Sequence, residues 1–261
     1  MLDRMPSWFL KHDRFNSKSF IKYLRLQPLS VICYILWFIY HKHEESDLAF
    51  SVDPLRFIFR YENRYTLIGE KVWQLEKKVR WFETNLVLIF EKKGWGEITQ
   101  RFDNFRDLET NRQIDSYNTY LTLNLSKDHF SISEPIDNQI IQIPSSKHPL
   151  PKRYRPYGGG LSFGFIKNGK IVCFAAAPHI LSQETFSFAI LRGIETKIIE
   201  RRQRYALKTV GVLCKELFSR YNLANIFLWV DEKNIAARNL YQKLGFSEEG
   251  KIYTTYCDQK K

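Results

Sequence analysis

The chain has 261 residues, enough to bury a core in one large domain or two small ones. Hydrophobic residues make up 44% and charged residues 26% of the sequence, which excludes a disordered or fibrous protein. The net charge of +12 is uneven, because residues 1–150 carry 21 Lys and Arg against 19 Asp and Glu, whereas residues 151–261 carry 19 against 9. The basic second part indicates an anionic partner, such as a nucleotide cofactor, nucleic acid or an acidic membrane surface.

An apolar run lies at residues 29–40, between Lys22 and Arg25 on one side and Lys42 on the other. A membrane-spanning helix needs about 20 apolar residues, so this run is too short to cross a bilayer. We expect it to form a buried helix, and a peripheral membrane contact is the alternative.

The four cysteines lie far apart and form no CxxC pair; they are Cys33, Cys173, Cys214 and Cys257. The six histidines form no HxxH or HExxH pattern. These spacings argue against zinc and against a small disulfide framework, so no metal is expected. Reduced thiols are typical of cytoplasmic proteins, and the cytoplasm is the predicted location.

Residues 1–112 are predicted to form an α+β region, whose role the sequence does not indicate. Its clearest strands are residues 55–61 and the continuous apolar run 85–90. The predicted boundary lies within the polar stretch 107–115, so that residues 113–261 form the second domain. That domain begins with an alternating strand at residues 117–125, and the prolines and glycines of residues 143–160 then predict a loop.

From residue 161 the predicted elements follow one another regularly. Asn168 and Gly169 predict a hairpin between strands 161–166 and 171–177, and a longer strand follows at 185–196. Apolar residues at 206, 210, 213, 217 and 221 predict an amphipathic helix. A strand at 226–230 leads to a helix that Asn234 caps and Gly245 ends, and the last strand covers 251–257.

The turn before the amphipathic helix reads Arg201-Arg202-Gln203-Arg204-Tyr205-Ala206. It resembles the pyrophosphate-binding turn of the GNAT superfamily of N-acetyltransferases, whose pattern is Gln/Arg-x-x-Gly-x-Gly/Ala. Arg201 and Ala206 match the first and last positions, whereas Arg204 replaces the central glycine. Backbone N–H groups at a helix N-terminus bind anions, and the arginines add positive charge. If the turn needs a positive φ at Arg204, this residue costs about 1–2 kcal/mol.

The resemblance implies that this turn binds acetyl-CoA, together with Ile194 and Thr196 on the preceding strand. The alternative from the residues alone is a solvated basic turn that precedes an amphipathic helix.

A second motif covers residues 234–246 and resembles the GNAT pattern Asn-x-x-Ala-x-x-Leu-Tyr-x-Lys-x-Gly-Phe nearly residue for residue. The resemblance implies that Asn234 caps a helix near the cofactor and that Tyr241 donates a proton to the departing thiolate. We expect Tyr241 to point toward the gap between strands 185–196 and 226–230 and not fully into the core. A purely structural core position is the alternative for this tyrosine.

Attack of an amine on a thioester requires a proton acceptor, because the nitrogen must be neutral to attack. Glu195 and Glu184 lie on or beside the strand 185–196, and Glu195 is the expected catalytic base. A surface or salt-bridged glutamate is the alternative.

The sequence therefore predicts an α/β protein with a GNAT-like mixed central sheet flanked by helices, after an N-terminal α+β region. The resemblance covers about residues 117–261. The layout of the whole chain, with residues 154–159, the Asn168-Gly169 hairpin and residues 172–178, also resembles a longer bacterial GNAT group. That group carries an extra N-terminal region and includes antibiotic-resistance acetyltransferases. The implied activity is acetyl transfer from acetyl-CoA to a primary amine of a small molecule or peptide, by direct attack.

Two other functions remain open. One is a catalytically silent GNAT fold that binds acyl-CoA or a partner, and the other is an RNA-binding or RNA-modifying module. Many of the basic residues lie at the turn, so a cofactor explains them before nucleic acid does. A V-shaped split between strands 185–196 and 226–230 would favour the acyl-CoA interpretation.

Overall fold

A computed structural model describes residues 46–52, 55–61, 64–68, 72–73, 86–90, 94–107, 112–115, 117–131, 137–144, 160–182 and 187–260. The predicted helix at 29–40, Cys33, Glu184 and the segment 154–159 lie outside these residues.

Twelve strands and three α-helices lie in this part of the chain. The strands are β1 (Ser46–Val52), β2 (Leu55–Tyr61), β3 (Arg64–Ile68), β4 (Leu86–Phe90), β5 (Phe102–Arg106), β6 (Asn118–Ser126), β7 (Ile140–Gln142), β8 (Leu161–Lys167), β9 (Lys170–Ser182), β10 (Ser187–Thr196), β11 (Asn225–Asp231) and β12 (Ser247–Gln259). The helices are α1 (Trp95–Arg101), α2 (Tyr205–Tyr221) and α3 (Ile235–Lys243).

The chain forms two compact units, and the first comprises residues 1–121 and 250–261. Its strands pair in the order β1-β2-β3-β4-β12, and β5 also pairs with β12. Strands β3 and β4 are parallel, whereas the neighbouring pairs are antiparallel. Its core is formed by apolar and aromatic side chains such as Ile58, Tyr65, Leu86 and Phe102, which are at most 2% exposed.

The second unit comprises residues 122–249. Its strands pair in the order β11-β10-β9-β8-β7, and β6 lies beside β11. Only β10 and β11 are parallel among the pairs from β7 to β11. The predicted apolar stripe of α2 is buried, with Val210, Leu213 and Leu217 at 0% exposure. Burial of this stripe fixes α2 against the sheet.

The two units share an order of strand pairing. In each unit two successive antiparallel pairs are followed by one parallel pair, through β1-β2-β3-β4 in the first and β8-β9-β10-β11 in the second. A helix follows the fourth strand in both cases and leads into another strand, by way of α1 in the first unit and α3 in the second. The first unit is therefore a topological repeat of the second.

The elements predicted from residue 161 onward are confirmed, with changes at their ends. The Asn168-Gly169 hairpin has φ values of 50° and 70°, as a two-residue turn between twisted strands requires. Strand β9 continues to Ser182, well beyond the predicted end at residue 177. The first unit ends at residue 121 and regains residues 250–261, whereas the predicted boundary followed residue 112.

Helix α3 ends in a Schellman motif centred on Gly245. The backbone N–H of Phe246 donates to the carbonyl of Tyr241 at 3.1 Å, and that of Gly245 donates to the carbonyl of Gln242 at 3.0 Å. The apolar contact that accompanies this motif joins the rings of Tyr241 and Phe246, whose centroids are 5.6 Å apart. Gly245 has φ 91°, and a Cβ atom there would overlap the carbonyl oxygen of His129. Glycine is thus required twice, by the backbone conformation and by space.

Gly245→Ala should lower the free energy of unfolding by roughly 2–4 kcal/mol, because it combines left-handed strain with overlap of a neighbouring backbone. Gly169→Ala is the matched control, since Gly169 has φ 70° and nothing within 4 Å of the added methyl group. This control should lose only about 1 kcal/mol. Urea unfolding of both variants measures the difference. Equal losses of unfolding free energy in the two variants would show that the backbone of His129 moves aside at no cost. They would contradict the claim that Gly245 is required for lack of space.

Candidate active site

The site is defined by the point at which β10 and β11 stop pairing. The parallel register joins Phe188 to Asn225, Ala189 to Ile226 and Ile190 to Phe227. Beyond these pairs the register joins no further residues of the two strands, although β10 continues to Thr196 and β11 to Asp231, and all of these residues are described. The two strands therefore diverge toward their carboxyl ends and open the V-shaped split.

A bulge in β10 accompanies the divergence. Strand β10 pairs with β9 through Arg192 opposite Ala176 and then Glu195 opposite Phe174, so it carries one extra residue between these pairs. Gly193 lies in this bulge with φ 63°. Bulges re-aim a strand and its backbone groups, and they are common beside active sites. Ile194, a predicted cofactor residue, is half-buried directly after this glycine.

Helix α2 begins without a capping side chain. Its N-cap residue is Arg204, no side chain of the described residues accepts a hydrogen bond as a cap, and the first turn has no acidic residue. Helix α3 differs, because Asn234 Oδ1 accepts a hydrogen bond of 3.1 Å from the backbone N–H of Ala237. Since the first N–H groups of a helix have no intrahelical acceptor, the N-terminus of α2 provides donors for an anion.

The turn before α2 holds two arginines in left-handed backbone. Arg202 has φ 67° and Arg204 has φ 61°, whereas Arg201 has φ −69°. All three side chains are exposed, as is Gln203. The backbone thus needs a positive φ at Arg204, which is the position where the sequence pattern has glycine. The strain is retained in a turn that surrounds the helix N-terminus with three positive charges.

The side chains of the next two residues of the motif, Tyr205 and Ala206, pack against the sheet. Tyr205 stacks on Phe165 with ring centroids 4.2 Å apart, and Ala206 packs against the same cluster of β8 and β9. Lys208 forms a salt bridge with Asp137 at 3.0 Å. Tyr205 and Ala206 can therefore contribute to anion binding through their backbone N–H groups and not through their side chains.

The strand register places the predicted residues of β10 on two faces of the sheet. Cys173 packs against the α2 side, and Thr196 Oγ1 donates to its Sγ at 3.1 Å, so Thr196 lies on that face. Phe174, the next residue along β9, points to the opposite face, and its register partner Glu195 lies there with it. Glu195 is exposed. The turn and Thr196 are thus on one side of the split, and the predicted base is on the other.

Tyr241 is more buried than the sequence predicts. Its side chain is 7% exposed, because its position in the Schellman motif holds the ring against Phe246. Burial, with a smaller contribution from the neighbouring Cys214 thiol of α2, raises the pKa of Tyr241 above the ordinary tyrosine value. The phenol is therefore protonated at neutral pH and lies on the α2 side of the split.

Two further residues, which the sequence did not predict to be functional, lie at the split. The Arg192 guanidinium carbon lies 5.6 Å from the ring centroid of Trp229, and both residues are half-buried. Each follows the last paired residue of its strand, Ile190 or Phe227, by two positions. No local sequence signal joins them, because their contact depends on where the two strands separate.

The first unit has no comparable split among its described residues. Strands β3 and β4 pair from Arg64 opposite Val87 through Leu67 opposite Phe90, which is the last residue of β4. Trp73, Phe90 and Ile98 line a small cavity there, whose volume of about 10 Å³ is enough for roughly one water molecule. The described open site therefore belongs to the second unit.

Residues 132–246 match the family model described as the acetyltransferase (GNAT) family. This segment is a GNAT acetyltransferase domain. The family and the mixed α/β fold predicted from the sequence are both confirmed. Comparison with curated protein sequences gives no match.

Solved GNAT structures share the fold over most of the chain. A GCN5-related N-acetyltransferase from Kribbella flavida has a TM-score of 0.57 at 11% identity, covering 93% of this chain and 96% of that one. A GCN5-related N-acetyltransferase-like protein from Streptococcus suis has a TM-score of 0.52 at 11% identity, covering 92% and 99%. A GNAT-family protein from Novosphingobium aromaticivorans has a TM-score of 0.52 at 14% identity, covering 82% and 92%. At these identities the likeness concerns the fold alone.

Among the residues that the structure describes, no helix is both long and apolar enough to span a membrane.

The strain in the turn of this GNAT domain can be measured by glycine substitution. Arg204→Gly should be more stable than the matched variant Arg201→Gly by about 1–2 kcal/mol, because Arg204 has left-handed backbone and Arg201 does not. Both variants gain the same backbone freedom when unfolded, so this effect cancels in the comparison. Arg201→Gly also loses the exposed 3.3 Å hydrogen bond from Arg201 Nε to the carbonyl of Thr196, and strain at Arg204 accounts for the rest of the difference. Urea unfolding gives the two values. Equal stabilities would mean that the turn carries no measurable strain at Arg204.

Proposed function

We propose that this protein transfers an acetyl group from acetyl-CoA to a primary amine by direct attack of the amine. The split between β10 and β11 is the observation that carries the proposal. The strand edges that no longer bond to each other can bond to a ligand with amide groups, as the pantetheine arm of coenzyme A has. The uncapped N-terminus of α2 and its arginines fit a pyrophosphate, with Asn234 at the start of α3 as a further contact. When bound, acetyl-CoA would supply an activated thioester carbonyl.

The residues of the two faces divide the proton transfers between them. Glu195, on the face away from α2, would accept the proton that the attacking nitrogen releases as the C–N bond forms. Tyr241, on the α2 side, would donate a hydrogen bond or proton to the sulfur as the C–S bond breaks. Backbone N–H groups near the bulge, at Gly193 and Ile194, would polarise the carbonyl. We place this reaction in the cytoplasm, where buried thiols such as Cys173 stay reduced.

A catalytically silent acyl-CoA-binding fold is the second candidate. The observation that favours it is the left-handed Arg204 where the family pattern has glycine. Acetyl-CoA binding without transfer to any amine would support it. Salt-dependent RNA binding without acetyl-CoA binding would instead favour the RNA module.

The first test is acetyl-CoA binding, measured by titration calorimetry at two salt concentrations. Arg201→Ala and Arg202→Ala should each weaken affinity about threefold, since one exposed charge contributes roughly 0.5–1 kcal/mol. Arg204→Gly should also weaken acetyl-CoA affinity, because we expect the loss of a positive charge near the pyrophosphate to matter more than the relief of backbone strain. Added salt should weaken binding by the wild-type protein.

Arg220→Ala is the control for these variants. Arg220 is an exposed arginine at the other end of α2, roughly 24 Å away, so its loss changes the net charge equally without touching the turn. If Arg220→Ala weakens acetyl-CoA binding as much as the turn variants do, their effect comes from the net charge of the protein and not from contacts at the turn. No binding by the wild-type protein at millimolar acetyl-CoA would overturn the proposed cofactor.

Tyr241→Phe tests the donor at the sulfur. The ring contact with Phe246 is retained, so the free energy of unfolding should change by less than about 1 kcal/mol. Turnover should fall about 10²-fold, the lower end for a proton donor, because burial makes complete transfer from this phenol costly. Acetyl-CoA affinity should stay constant, since the interaction forms only in the transition state. An unchanged rate would assign Tyr241 to the Schellman motif alone.

A further inference from the structure

Arg192 and Trp229 lie where β10 and β11 separate, and neither has a role in the proposed acetyl transfer. The guanidinium lies over the indole ring at 5.6 Å from the guanidinium carbon to the ring centroid. An aromatic face beneath a guanidinium restricts its orientation, and the in-plane N–H groups of a guanidinium suit the oxygens of a carboxylate. Both side chains are half-buried, so the charge lies in a medium where its interactions are stronger than in bulk water.

The strand register fixes the face on which Arg192 lies. Its partner on β9 is Ala176, which lies two residues from Phe174, the partner of Glu195. Residues two apart on a strand share a face, and Phe174 and Ala176 pack in one cluster. Arg192 and Glu195 therefore lie together on the face away from α2. This is the side opposite the turn proposed to hold the pyrophosphate, so an acceptor has to approach from it.

A cation and an anion on one face of the split select against a simple polycationic acceptor. Glu195 suits the amine, whereas Arg192 repels a second ammonium group and pairs well with a planar carboxylate, to which a guanidinium can donate two parallel hydrogen bonds. We propose that Arg192, oriented by Trp229, recognises a carboxylate on the acceptor; this proposal rests on the proposed function. The acceptor class is thus an amino acid, with its amine directed to Glu195 and its carboxylate to Arg192.

The test compares each amino acid with its own carboxamide, which keeps the amine and side chain but removes the carboxylate charge. Protein saturated with coenzyme A is titrated with both members of each pair by calorimetry, so that binding is read without turnover. We expect at least one amino acid to bind roughly 10- to 100-fold more tightly than its amide, the range for a hydrogen-bonded charge. Arg192→Gln should abolish this preference, and Arg192→Lys should restore part of it.

Two controls separate recognition from structure. Arg220→Gln removes an exposed arginine elsewhere in the same unit and should leave the preference intact. Acetyl-CoA affinity of Arg192→Gln should match that of the wild type, which shows that the split has kept its shape. With acetyl-CoA present, kcat/KM for the amino acid should fall in Arg192→Gln mainly through KM, while kcat/KM for the amide changes little.

The same variants also distinguish the source of the carboxylate. Succinyl-CoA carries one on the acyl group, and its affinity relative to acetyl-CoA should be the same in the wild type and in Arg192→Gln. A selective loss of succinyl-CoA binding would assign Arg192 to the donor and overturn the proposal. Equal binding of amino acids and their amides would overturn it as well. Failure of wild-type protein to bind acetyl-CoA would instead count against the proposed function, and the same amino-acid titration without coenzyme A would then decide the role of Arg192.

Discussion

Strands β10 and β11 hold together over three residue pairs, and the position of each candidate functional group follows from where this pairing stops. Continued parallel pairing would satisfy the facing backbone groups of both strands and leave no space between them. The bulge at Gly193 instead keeps β10 bonded to β9 while its other edge turns away from β11. One interruption of a ladder therefore opens a gap between two neighbouring strands of the sheet. The arginine-containing turn before α2 lies on one face and Glu195 on the other.

The repeated topology of the first unit shows what the interruption contributes. Strand β3 has five residues and β10 has ten, so the second unit has strand left over after its parallel pairing ends. In the first unit the corresponding place is filled by aromatic rings, with Trp95 stacked on Phe90 at 5.7 Å and edge-on to Tyr117 at 5.0 Å. The same order of strands thus forms a closed aromatic core in one unit and an open split in the other. Topology alone does not determine which.

Local patterns predicted the elements of the second unit well, because each depended on neighbouring residues. The stripe of α2, the Asn168-Gly169 turn and the cap at Asn234 are of this kind. The repeat in the first unit was not predicted, since strand pairing joins residues far apart in sequence. The motif identified Tyr241, but its burial depends on the packing of Phe246 and α2. Glu195 was placed on the correct strand, whereas its face, and the contact between Arg192 and Trp229, depend on the bulge.

Strand β12 supplies a central strand to a unit whose other strands come from the start of the chain. Asp258 accepts hydrogen bonds from Asn104 and Arg106, which precede it by 154 and 152 residues. During synthesis, residues 122–249 leave the ribosome before this segment does, so the second unit can complete its fold while the first still lacks β12. Until then β4 and β5 have open edges, which are templates for wrong pairing. The second unit can therefore fold before the first although its residues are translated later, and it is the N-terminal unit that exposes unpaired strand edges while the chain is being made.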